Sequence, residues 1–384
     1  MYWCLFRHSP RILAKLLRGR YELALPYHSG KTGIRSTVLV RHPNVYSVPP
    51  LRNDHFDNNC WAPPVYYQKL STRNVEIYAT EPCYLSPDGV TVSNSGISER
   101  QFIYTTERNT ITPFTIMQAR IKGATVVALD CVIVLHDRWS VTNYFHWVTE
   151  SLVKLLLVRD RIEYNGVPVI IPEHAAPFVI QSIRLLDPNR PIVMMPSDKL
   201  VWVKSSVHVD YSRLSGTHDP DMVRRVADEV LRCAAPFDNK NTGDNALYVS
   251  RDDAKCRKIT NEKNLLLTLN QNKIQVVKLS GMDFIAQVNL FRKCKLLISP
   301  HGAGLTNGIF MPIDSKVIEI TSSDKLAAPG LRYCFYALLS SLNYKYYPLL
   351  AESQNTSDPD ANMTLDLSAF ESLLSKIQSE KNRF

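Results

Sequence analysis

The chain has 384 residues, 45% of them hydrophobic, a length that suits two folded domains. Its mean hydropathy of −0.15, with no apolar run near the roughly 20 residues of a membrane span, argues against an integral membrane protein. The formal net charge is +9, but basic residues beyond the N-terminus are scattered and no nucleic-acid-binding motif occurs, so nucleic acid is not an expected partner.

Part of the positive charge is local. Arg7, Arg11, Lys15, Arg18 and Arg20 precede the first acid, Glu22, with Leu13, Leu16 and Leu17 near helical spacing among them. Residues 1–21 thus read as a basic amphipathic segment, able to lie on an anionic membrane surface or to stay solvated. The cations interrupt its apolar stretch and no small-residue cleavage site follows, so it is not read as a secretory signal. The expected location is cytoplasmic, with peripheral contact at the inner membrane face. Eight cysteines, at 4, 60, 83, 131, 233, 256, 294 and 334, show no metal-ligand spacing and are expected to be reduced. Without export, the sequons at Asn355 and Asn362 are taken as chance matches.

Residues 22–120 are rich in Pro, Asn, Tyr and Thr, with short runs such as VEIYA and FIYTT, and predict a β-rich, loop-heavy section. From about residue 124, apolar runs alternate with helical periodicity, the pattern of a parallel α/β sheet. TVVALDCVIVL, VPVIIP, RPIVMMP and KLVWVKSSVHV are the strand candidates. NYFHWVTESLVKLLLVRD and APFVIQSIRLLD are helices. A second series opens at Asp219-Pro220, a cap followed by proline at the first helical position. Helix DMVRRVADEVLRCAA leads to strand NALYVSR, helix TNEKNLLLTLN, strand KIQVVKL, helix DFIAQVNLFRKC and strand KLLIS. Strand SKVIEI, helix RYCFYALLSSLN and strand YKYYPLL follow. Residues 351–364 read as a linker before a last helix. The predicted domains are 22–212, β-rich then α/β, and 213–350, an α/β domain, with 351–384 as linker and helix.

Three stretches carry chemistry. SPHGAGLTNGIFMP, residues 299–312, places two glycines after a histidine at the end of a strand. Glycine allows backbone to approach a ligand, and a helix N-terminus offers unpaired amides to an anion, so the turn suits a phosphate or diphosphate. His301, Thr306 and Asn307 can add side-chain hydrogen bonds. A plain strand–helix turn remains the other reading. YVSRDDAKCRKITNE, residues 248–262, puts Arg251, Lys255, Arg257 and Lys258 on a loop able to clamp a diphosphate or to stay solvated. In NYFHWVTES, residues 143–151, His146 and Glu150 are four apart and share a helical face, where either can take a proton from a hydroxyl. Trp147 beside them is read either as core or as a platform for sugar.

These three segments, in this order, resemble glycosyltransferase family 61. The resemblance covers roughly residues 125–350, and HGAGLTN in its strand–helix context is its most specific part. It implies a GT-B-like α/β fold, two Rossmann-like domains facing across a cleft, here with a β-rich N-terminal extension. It implies an inverting, metal-independent transfer from a nucleotide sugar, usually a UDP-sugar, with no cofactor beyond that co-substrate. Carried onto this chain, the donor side comprises Arg251, Arg257, Asn261, Glu262, His301, Gly302, Ala303, Gly304, Leu305, Thr306 and Asn307. Glu319, near the end of VIEI, is added as a carboxylate for the ribose hydroxyls or else a capping or salt-bridging residue. Glu150 and His146 are the catalytic candidates, with Asn143 and Trp147 on the acceptor side and no metal ligands. Many eukaryotic relatives carry Asp near the place of Glu150. The expected partners are a nucleotide sugar and a glycan or lipid-linked glycan of a capsule or surface polysaccharide, as for a bacterial-type hexosyl- or pentosyltransferase. The rival readings are a protein acceptor, a non-catalytic nucleotide- or glycan-binding protein of the same fold, and a membrane adaptor acting through residues 1–21.

Overall fold

The structure, a computed structural model, describes residues 27–28, 34–49, 68–93, 97–98, 124–126, 129–212, 218–238, 245–322, 333–358 and 360–379. The basic segment 1–21 and the run FIYTT lie outside the described residues. The chain divides into two compact units, Met1–Asn44 with Thr72–Leu214 and Val45–Ser71 with Ser215–Phe384.

The first unit is built on a six-stranded sheet. Its strands are β1 (Ile34–Arg41), β2 (Val75–Thr80), β3 (Val132–Ile133), β4 (Val169–Pro172), β5 (Ile192–Met195) and β6 (Ser206–Val209). The order is β5-β4-β3-β6-β2-β1. β5, β4, β3 and β6 run parallel, and β2 and β1 continue the sheet antiparallel. All four residues of β4 and of β6 are buried, as expected of parallel strands covered on both faces. TVVALDCVIVL and KLVWVKSSVHV, each expected as one strand, are each broken in two. Ala124–Val126 and Leu200–Val203 pair in a separate four-stranded sheet with Cys83–Leu85 and Thr91–Ser93. The breaks fall at Asp130 and Lys204, which are exposed and paired with each other; a charge at each break keeps the apolar run from continuing through the core.

The helix after β3 is irregular. It starts as α-helix at Tyr144–His146, widens into a π turn at Trp147–Ser151, then continues as α1 (Leu152–Arg159). The Leu152 amide reaches back five residues to the Trp147 carbonyl. α2 (Pro177–Leu186) carries a proline in its first turn, where the missing amide hydrogen costs nothing.

In the second unit, α3 (Pro220–Ala234) starts where the sequence signals it, with the Asp219 carboxylate accepting from the amides of Asp221 and Met222. The sheet comprises β7 (Asn245–Val249), β8 (Gln275–Val277), β9 (Cys294–Pro300), β10 (Lys316–Ser322), β11 (Lys345–Ser353) and β12 (Met363–Thr364). Its order is β8-β7-β9-β10-β11-β12, parallel up to β11, with β12 antiparallel. The helices are α4 (Glu262–Gln271), α5 (Phe284–Phe291), α6 (Cys334–Ser341) and α7 (Leu367–Ser379). The hairpin Val45–Ser47 with Lys69–Ser71 belongs to this unit, where the Tyr46 hydroxyl donates to the Asp219 and Asp221 carboxylates. The stretch 351–364 carries the end of β11 and all of β12 rather than a free linker, and Phe370, Leu374 and Ile377 of α7 lie in the core with Ile318 and Tyr347.

Two buried histidines make the first unit acid-sensitive. Burial lowers His136 to about 4 and His208 to about 3, from an ordinary 6.5. The unfolded chain therefore takes up protons that the native chain refuses as pH falls below about 6.5. Stability is present above that value and is lost on descent towards pH 4, by on the order of 1.4 kcal/mol per pH unit for each histidine. Thermal unfolding followed from pH 7 to pH 4 is expected to show a falling Tm, with a shallower fall in His208→Asn.

Candidate functional site

In the second unit the strand order reverses between β7 and β9, and ligands of open parallel sheets sit beyond the carboxyl ends of strands at such a switch. The chain leaving β7 begins Ser250-Arg251, and the chain leaving β9 begins His301-Gly302. The two turns touch. A Cβ added to Gly302 would lie 2.0 Å from Arg251 Nη1. The backbone there is extended, so the requirement for glycine comes from the guanidinium resting on it. Gly304 is tight as well, 3.3 Å from Val249 and 3.1 Å from Leu279 by the same measure.

Arg251 is only partly satisfied. Its Nη2 donates to the Cys256 carbonyl at 3.2 Å, while its buried Nε has no acceptor. Burial first, and the Arg257 charge second, pull its guanidinium down from the ordinary value. Two neighbouring guanidinium groups repel each other unless a negative charge offsets them. Arg257 is fixed from behind: it adopts φ 57°, its amide donates to the Asp360 carbonyl, and its Nε lies 3.1 Å from the Asp360 carboxylate.

The turn after β9 continues as a 3₁₀ helix, Ala303–Phe310, rather than the α-helix start expected. Leu305 bonds back to the Gly302 carbonyl, so the amides of Gly302, Ala303 and Gly304 stand ahead of that bond. The side chains of Leu305, Thr306 and Asn307 are fully buried and brace the turn from inside. The Asn307 amide group donates to Gln287 and to the Gly304 carbonyl, and the Thr306 hydroxyl is buried without a partner. As placed here, Thr306 and Asn307 do not present hydrogen bonds to a ligand.

His301 is the other exposed-edge group. Its Nδ1 is hydrogen-bonded to Glu319 Oε1 at 2.5 Å, and its ring meets the edge of Phe335 at 5.2 Å. Glu319 is fully buried behind it, with Oε2 unpartnered. Of its readings, the salt-bridging one matches this contact: Glu319 orients His301 from behind. Glu262 accepts from the Tyr248 and Ser250 hydroxyls and anchors the base of the basic loop. Asn261 is committed to Leu365: its amide donates to the Leu365 carbonyl at 2.8 Å and its oxygen accepts from the Leu365 amide at 3.0 Å. Both brace the frame of the basic loop.

The first unit has a switch point of its own, because β3 is flanked by β4 on one side and β6 on the other. His146 Nδ1 lies 3.2 Å from each oxygen of Glu150, and both side chains are largely buried. The other two acceptor-side residues have local roles. Asn143 caps the helix, accepting from the Phe145 amide at 3.0 Å. Trp147 is fully buried and donates to the Ser182 hydroxyl at 2.8 Å, so of its two readings the core one holds. The π turn is one of the helix irregularities that recur at functional sites, and sequence periodicity gave no sign of it.

Three residues escaped the sequence reading. Asp137, leaving β3, accepts the amides of Trp139 and Ser140 on Oδ1 and the Tyr211 hydroxyl on Oδ2 at 2.8 Å. Tyr211, leaving β6, carries the buried Lys154 ammonium over its ring, 3.5 Å from the centroid. Burial opposes the Asp137 charge, yet Lys154, the Tyr211 hydroxyl and the Ser140 amide outweigh it and hold the carboxyl below its ordinary value. A lysine among Leu152, Leu155 and Leu156 in a helix with no polar stripe was the one available signal.

Among the described residues, no group of three or more His, Cys, Asp or Glu side chains is placed to hold a metal, and no helix is long and apolar enough to cross a membrane. The six described cysteines are free.

The fold and its two polar edges define an α/β protein with sites at the carboxyl ends of parallel strands. Residues 144–318 match the family model described as Glycosyltransferase 61, which bears out the family resemblance read from the motifs. The match takes in His146, Glu150, the basic loop and the whole of HGAGLTN. No curated protein matches the chain.

The Asn261 tether gives a direct test of the frame. Asn261→Ala removes two hydrogen bonds that hold the C-terminal segment to the start of α4. Chemical denaturation is expected to show a loss of about 1–3 kcal/mol.

Proposed function

We propose that the chain is an inverting, metal-independent hexosyl- or pentosyltransferase that moves a sugar from a nucleotide sugar, foremost a UDP-sugar, to a glycan hydroxyl. The observation that carries this reading is the contact of Arg251 with Gly302 at the strand switch of the second unit, with Arg257 beside it. Such an edge suits the pyrophosphate of an activated sugar. Arg251 and Arg257 supply the positive charge, and the amides of Gly302, Ala303 and Gly304 supply donors at close range. The GT-B arrangement, and a place in capsule or surface polysaccharide synthesis, belong to the same proposal.

The reaction is a single displacement. The acceptor oxygen forms a bond to the anomeric carbon as the bond to the diphosphate breaks, which inverts that centre. Glu150 takes the acceptor proton, with His146 holding its carboxylate in place. The electron pair of the broken bond leaves on the nucleoside diphosphate, and its growing charge meets the guanidinium groups. His301 is oriented through Nδ1 by Glu319.

A thermal-shift screen against UDP-, GDP-, CMP- and dTDP-sugars is expected to single out one nucleotide by its stabilisation. Arg251→Ala should abolish that shift and lower transfer by on the order of 10²-fold or more. Gly302→Ala should weaken nucleotide binding at least about tenfold by calorimetry while leaving the Tm near wild type, because the added methyl displaces only the tip of a flexible side chain. A folded chain that neither binds a nucleotide sugar nor loses binding in Arg251→Ala overturns the reading. Near-normal turnover in folded Glu150→Gln removes Glu150 from the base role.

A further inference from the structure

Lys154 is almost wholly buried on α1, four residues beyond Glu150 and among leucines. A leucine or methionine there would pack as well, and a buried ammonium is costly unless compensated. Its compensation comes from both sides. Its ammonium lies 3.5 Å from the centre of the Tyr211 ring, whose hydroxyl is bonded to Asp137. The acids that act on it are Asp137, Glu150 and Asp210. Glu150 in turn holds His146.

We propose that Lys154 is the positioning residue of this site, a buried ammonium that balances the carboxylates of Asp137, through the Tyr211 ring it sits on, and of Glu150, four residues before it on its own helix, so that Glu150 stands ready to accept the acceptor proton. The inference rests on the glycosyltransferase reading for what the proton transfer achieves, though not for the electrostatics. Each packed element contributes titratable groups. The chain leaving β3 brings His136 and Asp137. β6 and the chain after it bring His208, Asp210 and Tyr211, and β2 brings Tyr78, stacked on His208. Lys154's own helix brings His146 and Glu150. His136 and His208 are kept neutral by burial and supply no cation near pH 7. Lys154 therefore compensates carboxylates that neither histidine can. Its own ammonium is lowered by burial to about 8, against the opposing pull of Asp137, Glu150 and Asp210. As pH rises through about 8 the ammonium loses its proton and the carboxylates lose their counter-charge.

The test uses the full chain with Lys154→Met and Lys154→Arg, each checked by circular dichroism and Tm. One readout is the titration of the His146 ring by NMR, assigned with His146→Gln. Loss of the nearby cation should move that titration up by about one pH unit in Lys154→Met, and Lys154→Arg should bring it back. The second readout is the pH profile of transfer. In Lys154→Met the acid limb of kcat should move up by about one unit, so that the rate near the foot of that limb falls about tenfold and recovers with alkali, with KM for the donor unchanged. A folded Lys154→Met with an unmoved His146 titration and an unmoved acid limb overturns the proposal. Should Lys154→Met not fold, Lys154→Gln, which keeps a polar end over the Tyr211 ring, carries the same two readouts. If wild type transfers no sugar, the glycosyltransferase reading fails, and the His146 titration still decides the role of Lys154.

Discussion

The close approach of one guanidinium to one glycine organises the second unit. Arg251 leaves β7 and Gly302 leaves β9, and these strands are neighbours only because the sheet order turns back between them. Parallel pairing sets the two turns at the same level. The absent side chain lets the cation lie on the backbone, and Glu262, accepting from the Tyr248 and Ser250 hydroxyls, ties the loop to its strand. Any residue with a Cβ at 302 would push the charge away from the edge. The sheet, the turn and the basic loop are thus one construction.

The first unit solves a different electrostatic problem. It brings carboxylates, imidazoles and an ammonium to the end of its parallel strands and leaves few of them in water. Asp137 meets two amides and a phenol, while Glu150 meets an imidazole. The helix that carries Glu150 and Lys154 has its wide turn between the imidazole and the ammonium. Such a network demands full satisfaction, because in a low-dielectric interior every unpaired group is costly.

Much of this was legible in the sequence, for reasons that differ by element. The helices and parallel strands from 143 onward follow apolar periodicity and caps such as Asp219-Pro220, because local chemistry and burial agree there. The HGAGLTN turn was legible because glycine at a strand end has few other uses. The two long apolar runs were misread as single strands, since only a pairing of distant charges, Asp130 with Lys204, reveals where each changes sheet. Side-chain direction was not legible either. Thr306, Asn307 and Glu319 sit in a donor-like motif yet face inward, and Trp147 next to His146 faces the core. Lys154 and Tyr211 are 57 positions apart in the chain and meet only through the register of β3 with β6.

The tail of the chain has an influence out of proportion to its position. Ile259 bridges to Met363, the Lys258 amide donates to the Asn362 side-chain oxygen, and Arg257 is held by Asp360 on both backbone and side chain. Residues 360–365 therefore act as a splint for the basic loop from a hundred positions downstream. Shortening the protein at residue 355, which a map of sequence motifs would count as harmless trimming, would unfasten the guanidinium at 257 while sparing every residue of the glycine-rich turn.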